Sequence, residues 1–371
     1  MIRAEIAIIG AGMAGASLAA ELAPHARVVL IEAEAQPGYH STGRSAAFWS
    51  ETYGGPAVQP LTSASGPWLA SPPGEISGQG FLGPRGGLHI AAASGRAALD
   101  AMEAEFRGSG VRLDRLDRAG LEAAIPGLRP GWDQGLAEPS CADIDVAALH
   151  AAYLKAARHR GARLVCDAEV HAIRREQARW RIDTRAGPIE ADILVNAAGA
   201  WATPVAAMAG ASRIEITPYR RTIVQLAIDP PAPATLPLVI DAEERFYFKP
   251  EAGGRLWLSP HDESPIDPCD VAPEELDVAI AIDRLEKVAG WRVLKRERAW
   301  AGLRSFAPDR APIYGFDPRA EGFFWFAGQG GFGIQTAPAA AIIGAALLLG
   351  KAMPEMVSGI DTERYSPGRF P

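Results

Sequence analysis

Cysteine is scarce in this sequence, and an excess of positive charge is absent. The chain has three cysteines, Cys141, Cys166 and Cys269, which lie far apart and show no metal-ligand spacing. That pattern argues against a disulfide framework and indicates a reducing compartment. Lysine and arginine number 37 against 44 aspartate and glutamate residues, for a formal net charge of −7. Nucleic acid is therefore excluded as a main partner, because neutralising phosphates needs a basic surface.

Long apolar runs are also missing. The longest, Ala337–Leu349, is interrupted by Pro338 and Gly344, whereas a membrane-spanning helix takes about 20 apolar residues. We therefore predict a buried helix there and no transmembrane segment. The first strand begins within a few residues of Met1, which leaves no room for a signal peptide. We expect a cytoplasmic protein.

What the sequence does contain is a glycine-rich segment close to the N terminus. An apolar strand over residues 5–9 runs into a Gly-x-Gly-x-x-Gly turn at 10–15, followed by a helix-prone segment at 16–22. A second apolar strand, Val28–Ile31, ends in Glu32. A glycine triplet alone is weak, but this order of strand, turn, helix, strand and acid predicts a dinucleotide-binding site.

Each member of this unit has a physical role. Gly10 permits the tight turn out of the strand, Gly12 lets the backbone approach a pyrophosphate, and Gly15 lets helix and sheet pack closely. The helix N terminus offers free N–H groups to the phosphates. Glu32 is placed to accept hydrogen bonds from ribose hydroxyls.

Similar strands recur far along the chain, at 191–201 and 323–328, where apolar runs end in small residues. Further strands are predicted at 88–90, 220–228 and within 244–260, and helices at 144–160 and 273–287. These pieces predict a mixed α/β fold of two interleaved domains. The Rossmann-like nucleotide-binding domain comprises residues 1–80, 142–215 and 300–371, and a sheet-rich substrate-binding domain comprises 81–141 and 216–299.

Three later segments favour FAD over a nicotinamide cofactor. Residues 38–47 supply hydroxyls and a cation on a flexible backbone, and the break at 196–199 allows close approach of the backbone to the cofactor. The glycine cluster at 328–333 is expected to open the last long helix, whose N terminus would stabilise negative charge on a reduced flavin. Each segment alone is more often a structural turn. Together and in this order they favour a flavin.

The chain resembles the D-amino acid oxidase-type FAD-dependent oxidoreductases, the group of glycine oxidase, sarcosine oxidase and D-amino acid dehydrogenase. Within that group it is most similar to the bacterial FAD-dependent D-arginine dehydrogenases. The shared runs span nearly the whole chain: 36–47, 142–145, 194–201, 300–306, 321–325, 329–331 and 333–336.

The resemblance implies roles for particular residues. Arg221 and Arg304 match arginines that clamp the substrate carboxylate, a task for which a guanidinium fork is well shaped. Tyr53 and Tyr247 match tyrosines that hydrogen-bond or cover the bound amino acid, and Gln335 matches a residue beside flavin and substrate.

Structural alternatives exist for two of these positions. Residues 220–221 can form a solvated arginine pair on a strand, and Tyr247 can be a core aromatic between Phe246 and Phe248. The shared sequence context favours the functional interpretation of both.

No cysteine or histidine lies in a motif suited to covalent flavin attachment, so we expect non-covalent FAD, and we expect no metal. The implied cofactor-binding residues are Gly10, Gly12, Ala14, Gly15, Glu32, Ser41, Thr42, Arg44, Ser45, Ala46, Val170, Ala198, Gly199, Trp201, Gly302, Gly331, Gly333, Ile334, Gln335 and Thr336.

Two departures from the D-arginine enzymes bear on the substrate. Gly87 stands where those enzymes carry a glutamate that holds the substrate guanidinium, and Phe48 stands in place of a histidine. Losing the charge partner of a desolvated cation costs on the order of 2–5 kcal/mol of discrimination. We therefore predict a preference for uncharged or hydrophobic D-amino acids. His89 lies nearby but is left out of the site, since a lone strand histidine is more often simply packed.

The expected reaction is oxidative deamination to a 2-oxo acid and ammonia, by hydride transfer from Cα to flavin N5. The final electron acceptor is expected to be oxygen or a quinone-type carrier. Three alternatives stay open at this point. They are a glycine- or sarcosine-type secondary amine oxidase, a 2-hydroxy acid dehydrogenase, and a flavin-bearing subunit of a larger assembly.

Overall fold

Two large sheets and one small sheet organise the computed structural model, which describes residues 1–371. The first sheet has eight strands, and its central members are parallel. In spatial order they are Val170–Glu176, Arg179–Thr184, Gly187–Asn196, Ile2–Ile9, Val28–Ile31 and Arg163–Val165, with Phe323–Ala327 beside Gly187–Asn196 and Ile313–Phe316 beside Phe323–Ala327.

Helices cover both faces of the first sheet, because its strands are apolar on both sides. Met13–Leu22, Val146–His159 and Ala337–Leu349 form one layer with the largest core cluster. Ala202–Ala209 packs into a second cluster on the opposite face. The predicted strand Val28–Ile31 and the predicted buried helix Ala337–Leu349 are confirmed.

The second sheet has ten strands and is mostly antiparallel. In order, its strands are Gln329–Gly330, Arg292–Phe306, Thr217–Asp229, Arg255–Ser259, Tyr247–Glu251, Leu238–Asp241, Gly87–Ala92, Trp132–Glu138 and Asp114–Asp117, with Ser264–Pro265 beside Thr217–Asp229. Helix Glu275–Val288 packs its apolar side into the third core cluster.

The remaining elements are short. A three-stranded sheet consists of Phe48–Trp49, Ala142–Ile144 and Leu82–Pro84, and the other helices are Gln59–Ala70, Arg96–Glu105 and Arg118–Ala124. Single 3₁₀ turns occur at Ala93–Gly95, Gly199–Trp201, Ala252–Gly254, Glu355–Val357, Thr362–Tyr365 and Pro367–Arg369. None of the helices combines the length and apolarity needed to traverse a bilayer.

Several sequence-based boundaries need correction. The helix expected from residue 144 begins at Val146, because Asp145 is its N-cap and its side chain accepts a hydrogen bond from the Ala148 N–H at 2.9 Å. The helix expected at 273–287 is Glu275–Val288. The glycine cluster does not open the last helix, which begins at Ala337 after a separate turn, while Gln329–Gly330 forms a short strand of the second sheet.

The chain passes repeatedly between the two large sheets. Strand Arg292–Phe306 belongs wholly to the second sheet, so the expected domain boundary at residue 300 falls inside this strand. We retain the interleaved two-domain arrangement as a proposal.

Candidate active site and cofactor cleft

A single long cleft connects the first glycine turn with the face of the second sheet. It encloses about 1410 Å³ of empty space, its open mouth included. The predicted site residues that line it are Gly10, Gly12, Ala14, Glu32, Ser41, Thr42, Arg44, Ser45, Ala46, Tyr53, Ala198, Gly199, Trp201, Arg221, Tyr247, Gly302, Arg304, Gly331, Gly333, Ile334 and Gln335.

Three predicted cofactor-binding residues lie outside this lining. Gly15 packs against the backbone of Gly10, Val170 begins the edge strand of the first sheet, and Thr336 is buried directly before the last helix. The cleft thus brings together segments from five distant parts of the chain.

The glycine turn has the geometry of a dinucleotide cradle. Gly10 has a φ of +99°, and a Cβ there or at Gly15 would lie less than 3.0 Å from a backbone carbonyl. At Gly12 a Cβ would meet only the Thr42 hydroxyl, at 3.2 Å. Gly10 and Gly15 are therefore required by close backbone packing, whereas the backbone of Gly12 lines the cleft. These features fit a bound pyrophosphate.

Glu32 lies at the end of the second strand with its carboxylate held by the backbone. It accepts hydrogen bonds from the N–H groups of Ala11 at 3.0 Å and Glu34 at 3.1 Å. Burial raises the pKa of Glu32, although these two N–H donors oppose the shift. A fixed carboxylate at this point fits ribose hydroxyls.

His150 is a part of the cofactor end that sequence analysis missed. Its Nε2 lies 2.8 Å from the carbonyl oxygen of Ala11 and anchors helix Val146–His159 to the glycine turn. Its ring also fills the space beside Gly38. Burial lowers the pKa of His150, which keeps the imidazole neutral. No motif in the sequence indicated this contact, because the two partners are 139 residues apart.

Arg44 uses its guanidinium to hold the segment that contains Asp270 and Val271. It donates to the Val271 carbonyl at 3.0 Å and pairs with Asp270 at 2.5 Å. The Tyr39 hydroxyl also donates to Asp270, at 3.1 Å. The guanidinium of Arg44 is thus already engaged by protein groups, although the residue also lines the cleft.

The other end of the cleft contains two buried arginines on neighbouring strands of the second sheet. Arg221 is paired in register with Gly302, and Arg304 with Tyr219, so the two side chains lie on the same face. Arg221 is 6% exposed and Arg304 is 9% exposed. Burial, and then the charge of Arg304, lower the pKa of Arg221.

Each guanidinium is only partly satisfied by the protein. Arg221 Nε donates to the Asp262 carbonyl at 2.8 Å, and Arg304 Nη1 donates to Glu263 Oε1 at 2.9 Å. Arg221 Nη1 and Arg304 Nε are buried without a hydrogen-bond partner. Since buried charged donors are costly when unpaired, this pair is suited to receive an anion.

Aromatic side chains surround the arginine pair. The ring of Phe48 lies 5.2 Å from Tyr53 and 6.0 Å from Tyr247. A Cβ on Gly331 would approach both Arg304 and the Tyr53 hydroxyl to less than 3.0 Å, so these two groups face the same small space. Burial raises the pKa of Tyr247, which keeps its hydroxyl protonated.

His261 lies next to Tyr247, with ring centroids 5.6 Å apart. Burial, followed by the charges of Arg221 and Arg304, lowers the pKa of His261 to about 2. Its imidazole is therefore neutral and a very weak base. Sequence analysis missed this residue, since it lies in an irregular segment without a motif.

Gln335 lines the cleft but directs its amide into the protein. Its Nε2 donates to the carbonyls of Ser50 and Tyr53 at 3.1 and 3.2 Å and to the Thr62 hydroxyl at 2.9 Å. Its Oε1 accepts from the Ser50 N–H at 3.2 Å. Gln335 thus fixes the segment that carries Tyr53.

Gly87 was expected in the substrate pocket, because it stands where the D-arginine enzymes carry a substrate-binding glutamate, but the structure places it elsewhere. Gly87 does not line the cleft, and a Cβ there would contact Cys141. Glu138, which pairs with Gly87 in register, is fully buried and accepts hydrogen bonds from Ser50 and Thr52. His89 is also buried outside the cleft. Phe48 does line it.

Comparison with known proteins gives one consistent result. The family described as DAO, FAD dependent oxidoreductase, matches residues 5–347. The hydrogen cyanide synthase subunit HcnC of Pseudomonas aeruginosa is 29% identical over 69% of this chain and 59% of its own length. The D-amino acid dehydrogenase of Azorhizobium caulinodans is 27% identical over 71% of this chain and 63% of its own length.

Glycine oxidase of Geobacillus kaustophilus is 27% identical over 57% of this chain and 54% of its own length. Its crystal structure superposes with a TM-score of 0.85 at 24% identity, covering 99% of this chain and 98% of that one. The matches to these curated relatives span less than two thirds of the relatives' lengths. The predicted mixed α/β fold with a Rossmann-like FAD domain is confirmed.

Proposed function

The chain belongs to the DAO family of FAD-dependent oxidoreductases, and on this premise we propose that it oxidises D-amino acids with uncharged or hydrophobic side chains. The products are 2-oxo acids and ammonia. The observation that carries this proposal is the buried pair Arg221 and Arg304, each with a nitrogen that lacks a partner. The D-amino acid dehydrogenase among the relatives supports the choice of substrate class.

FAD is the cofactor, and we propose that it is held without a covalent bond. Gly12 and the N terminus of helix Met13–Leu22 would receive the pyrophosphate, and Glu32 would receive the ribose. When bound, FAD supplies the acceptor for a hydride equivalent. The final electron acceptor is proposed to be oxygen or a quinone-type carrier.

The protein's own contribution is to orient the substrate. Arg221 Nη1 and Arg304 Nε are the free donors for an α-carboxylate, and the Tyr53 hydroxyl faces the same space as Arg304. A carboxylate bound by both guanidinium groups has one orientation, which fixes the position of the substrate Cα.

The side chain of the substrate would lie among apolar groups. Phe48, Tyr247 and Ile223 line the cleft beside the arginine pair. The only acidic residue among those lining the cleft is Glu32, at the cofactor end, so none is placed to bind a substrate guanidinium. Burying an unpaired cation is unfavourable. D-arginine and D-lysine should therefore be poor substrates.

An anaerobic titration tests this proposal directly. Purified holoenzyme is mixed without oxygen with D- and L-amino acids, glycine, sarcosine and lactate, and the flavin absorbance is followed. We expect bleaching by D-phenylalanine, D-leucine and D-methionine. Faster reduction by D-arginine, or bleaching by lactate alone, contradicts the proposal. The speed at which colour returns on admission of air then distinguishes oxygen from another acceptor.

Removing one guanidinium of the arginine pair should weaken substrate binding. We expect Arg304→Met to lower kcat/KM by roughly 10²–10³-fold, since truncating one member of a buried charge pair costs about 2–5 kcal/mol. FAD content should be unchanged. Arg296→Gln is the matched control, because Arg296 pairs with Glu275 on the exposed surface at 2.6 Å. Undiminished turnover in Arg304→Met would refute the assignment.

A glycine- or sarcosine-type amine oxidase is the second candidate. The glycine oxidase of Geobacillus kaustophilus among the relatives favours it. Reduction by glycine or sarcosine at rates above those of all larger D-amino acids would establish this alternative in place of the first.

A further inference from the structure

The arginine pair already holds one carboxylate that belongs to the protein itself. Glu263 lies in the segment between strands Arg255–Ser259 and Ser264–Pro265. Its Oε1 accepts hydrogen bonds from Arg304 Nη1 at 2.9 Å and Arg310 Nη2 at 2.7 Å, and lies 3.7 Å from Arg221 Nη2. Three guanidinium groups therefore converge on a single carboxylate oxygen.

Glu263 occupies only the outer side of the pair. It contacts Arg304 Nη1 and Arg221 Nη2. The two nitrogens that lack partners are the other atoms Arg304 Nε and Arg221 Nη1 of the same guanidinium groups. Arg304 thus offers one nitrogen to Glu263 and another to the space shared with Tyr53. The arginines form two neighbouring carboxylate sites, one of which is filled by the protein.

The two sites also differ in their access to water. The Glu263 side chain is 35% exposed and that of Arg310 is 49% exposed, whereas the inner nitrogens are buried. A contact between such exposed partners contributes little to folding. The outer site is therefore the more exposed of the two.

We propose that Glu263 restricts the active site to substrates with one carboxylate, by filling the second carboxylate site from within the chain. This inference rests on the proposed function and adds a substrate class that the enzyme rejects, the dicarboxylic amino acids such as D-aspartate. Arg304 serves the outer site with Nη1 and the inner site with Nε, so the two sites lie one guanidinium apart. A short dicarboxylate would therefore span them if Glu263 were neutral. In the native protein, the second carboxylate of such a ligand meets the negative charge of Glu263.

The test compares ligands that bind but cannot be oxidised. The flavin absorbance of the holoenzyme is titrated with propionate, which has one carboxylate, and with succinate, which has two. The wild type should prefer propionate. In Glu263→Gln the ratio of succinate to propionate affinity should rise by roughly tenfold or more, as expected for removing a like charge a few ångströms away. The kcat/KM ratio for D-aspartate over D-alanine should rise in parallel.

A second variant moves the ratio in the opposite direction. Arg310→Gln removes a cation from the outer site, so succinate should lose affinity relative to propionate. Glu263→Asp retains the charge and should retain the preference for propionate. Glu275→Gln, at an exposed pair with Arg296, removes the same charge from the surface and should leave both affinities unchanged.

The outcomes separate this inference from the function on which it rests. If the wild type oxidises D-amino acids but neither Glu263→Gln nor Arg310→Gln alters the ratio by more than about twofold, the role of Glu263 is refuted and the proposed function stands. Shifts of both variants in the same direction likewise refute it. If no amino acid reduces the wild-type flavin and neither carboxylate perturbs its spectrum, both proposals are refuted.

Discussion

At the scale of single residues, the most unusual group in the site is His261. It is partly buried beside Tyr247 and close enough to Arg221 and Arg304 for their charges to act on it. Burial and these two cations lower its pKa to about 2. An imidazole of this kind is too weak a base to remove a proton from a substrate ammonium group near neutral pH. For the proposed reaction, we therefore predict that the proton leaves to water before the hydride is transferred.

The pH dependence of turnover should then be governed by the substrate. We expect kcat/KM to rise with pH along one ionisation, and its midpoint to follow the amine pKa when the substrate is changed. His261→Asn should leave the midpoint unchanged. The measurement is kcat/KM from about pH 6 to about pH 10 with two substrates of different amine pKa. Loss of the ionisation in His261→Asn would identify His261 as the base and contradict the prediction.

The same shift has a consequence for stability. The pKa of His261 in the folded protein lies below its ordinary value of 6.5, so the unfolded chain binds a proton first as the pH falls. This residue therefore opposes folding increasingly as pH falls from about 6.5 toward about 2. Arg221 and Arg304, which add to the effect of burial on this pKa, also make the site receptive to an anion.

At the scale of elements, the segment after strand Phe323–Ala327 limits the space around Arg304 and Tyr53. Gly331 lies in this segment, and no Cβ fits there without contacting Arg304 and Tyr53. The requirement for glycine at this position is thus steric and belongs to the substrate end of the cleft. It does not come from the start of helix Ala337–Leu349, which lies further along the chain.

We predict that Gly331→Ala impairs substrate use more than cofactor binding. The new methyl group would displace Arg304 or Tyr53, and misplacement by about 1 Å can cost up to roughly 10²-fold in rate. FAD content, measured by absorbance after denaturation, should be close to that of the wild type. Gly83→Ala is the matched control, because a Cβ at Gly83 meets nothing within 4 Å. Equal kcat/KM values for the two variants would contradict this account.

At the scale of the whole molecule, the cleft is assembled from segments that meet only in the folded state. Its walls include Gly10, Thr42, Ala198, Arg304 and Gln335. A ligand that contacts all of them binds the folded chain and not the unfolded one. The cofactor is therefore expected to stabilise the interleaved fold as a whole.

Removal of FAD should consequently lower the thermal stability of the protein. At a free FAD concentration about 100 times Kd, the free energy of unfolding should rise by about 2.7 kcal/mol. Glu32→Gln should raise the Kd for FAD by roughly tenfold to a hundredfold, since hydrogen bonds to a charged group contribute about 1.5–3 kcal/mol. The measurement is Tm by circular dichroism across FAD concentrations. Glu321→Gln, at a highly exposed position, is the control, and a Tm independent of FAD would contradict the prediction.

Much of the fold was predictable where the signal is local. Strand Val28–Ile31 and helix Ala337–Leu349 were predicted with the bounds that the structure has, since each is an uncharged, largely apolar segment flanked by polar or small residues. The helix starting at Val146 was misplaced by two residues, because a short side-chain cap decides where it begins. The placement of the glycine cluster was wrong, since local sequence does not show which sheet it joins.

By itself, the sequence determined the dinucleotide unit and the types of side chain available for the site. Spacing among Gly10, Gly12, Gly15 and Glu32 is a property of neighbouring residues and is visible along the chain. Only the tertiary structure decided which nitrogens of Arg221 and Arg304 are left without hydrogen-bond partners. Only the tertiary structure, likewise, brought Glu263 into contact with both arginines. Hydrogen bonding and desolvation are settled by atoms brought together across tens to hundreds of residues, and no local pattern encodes them.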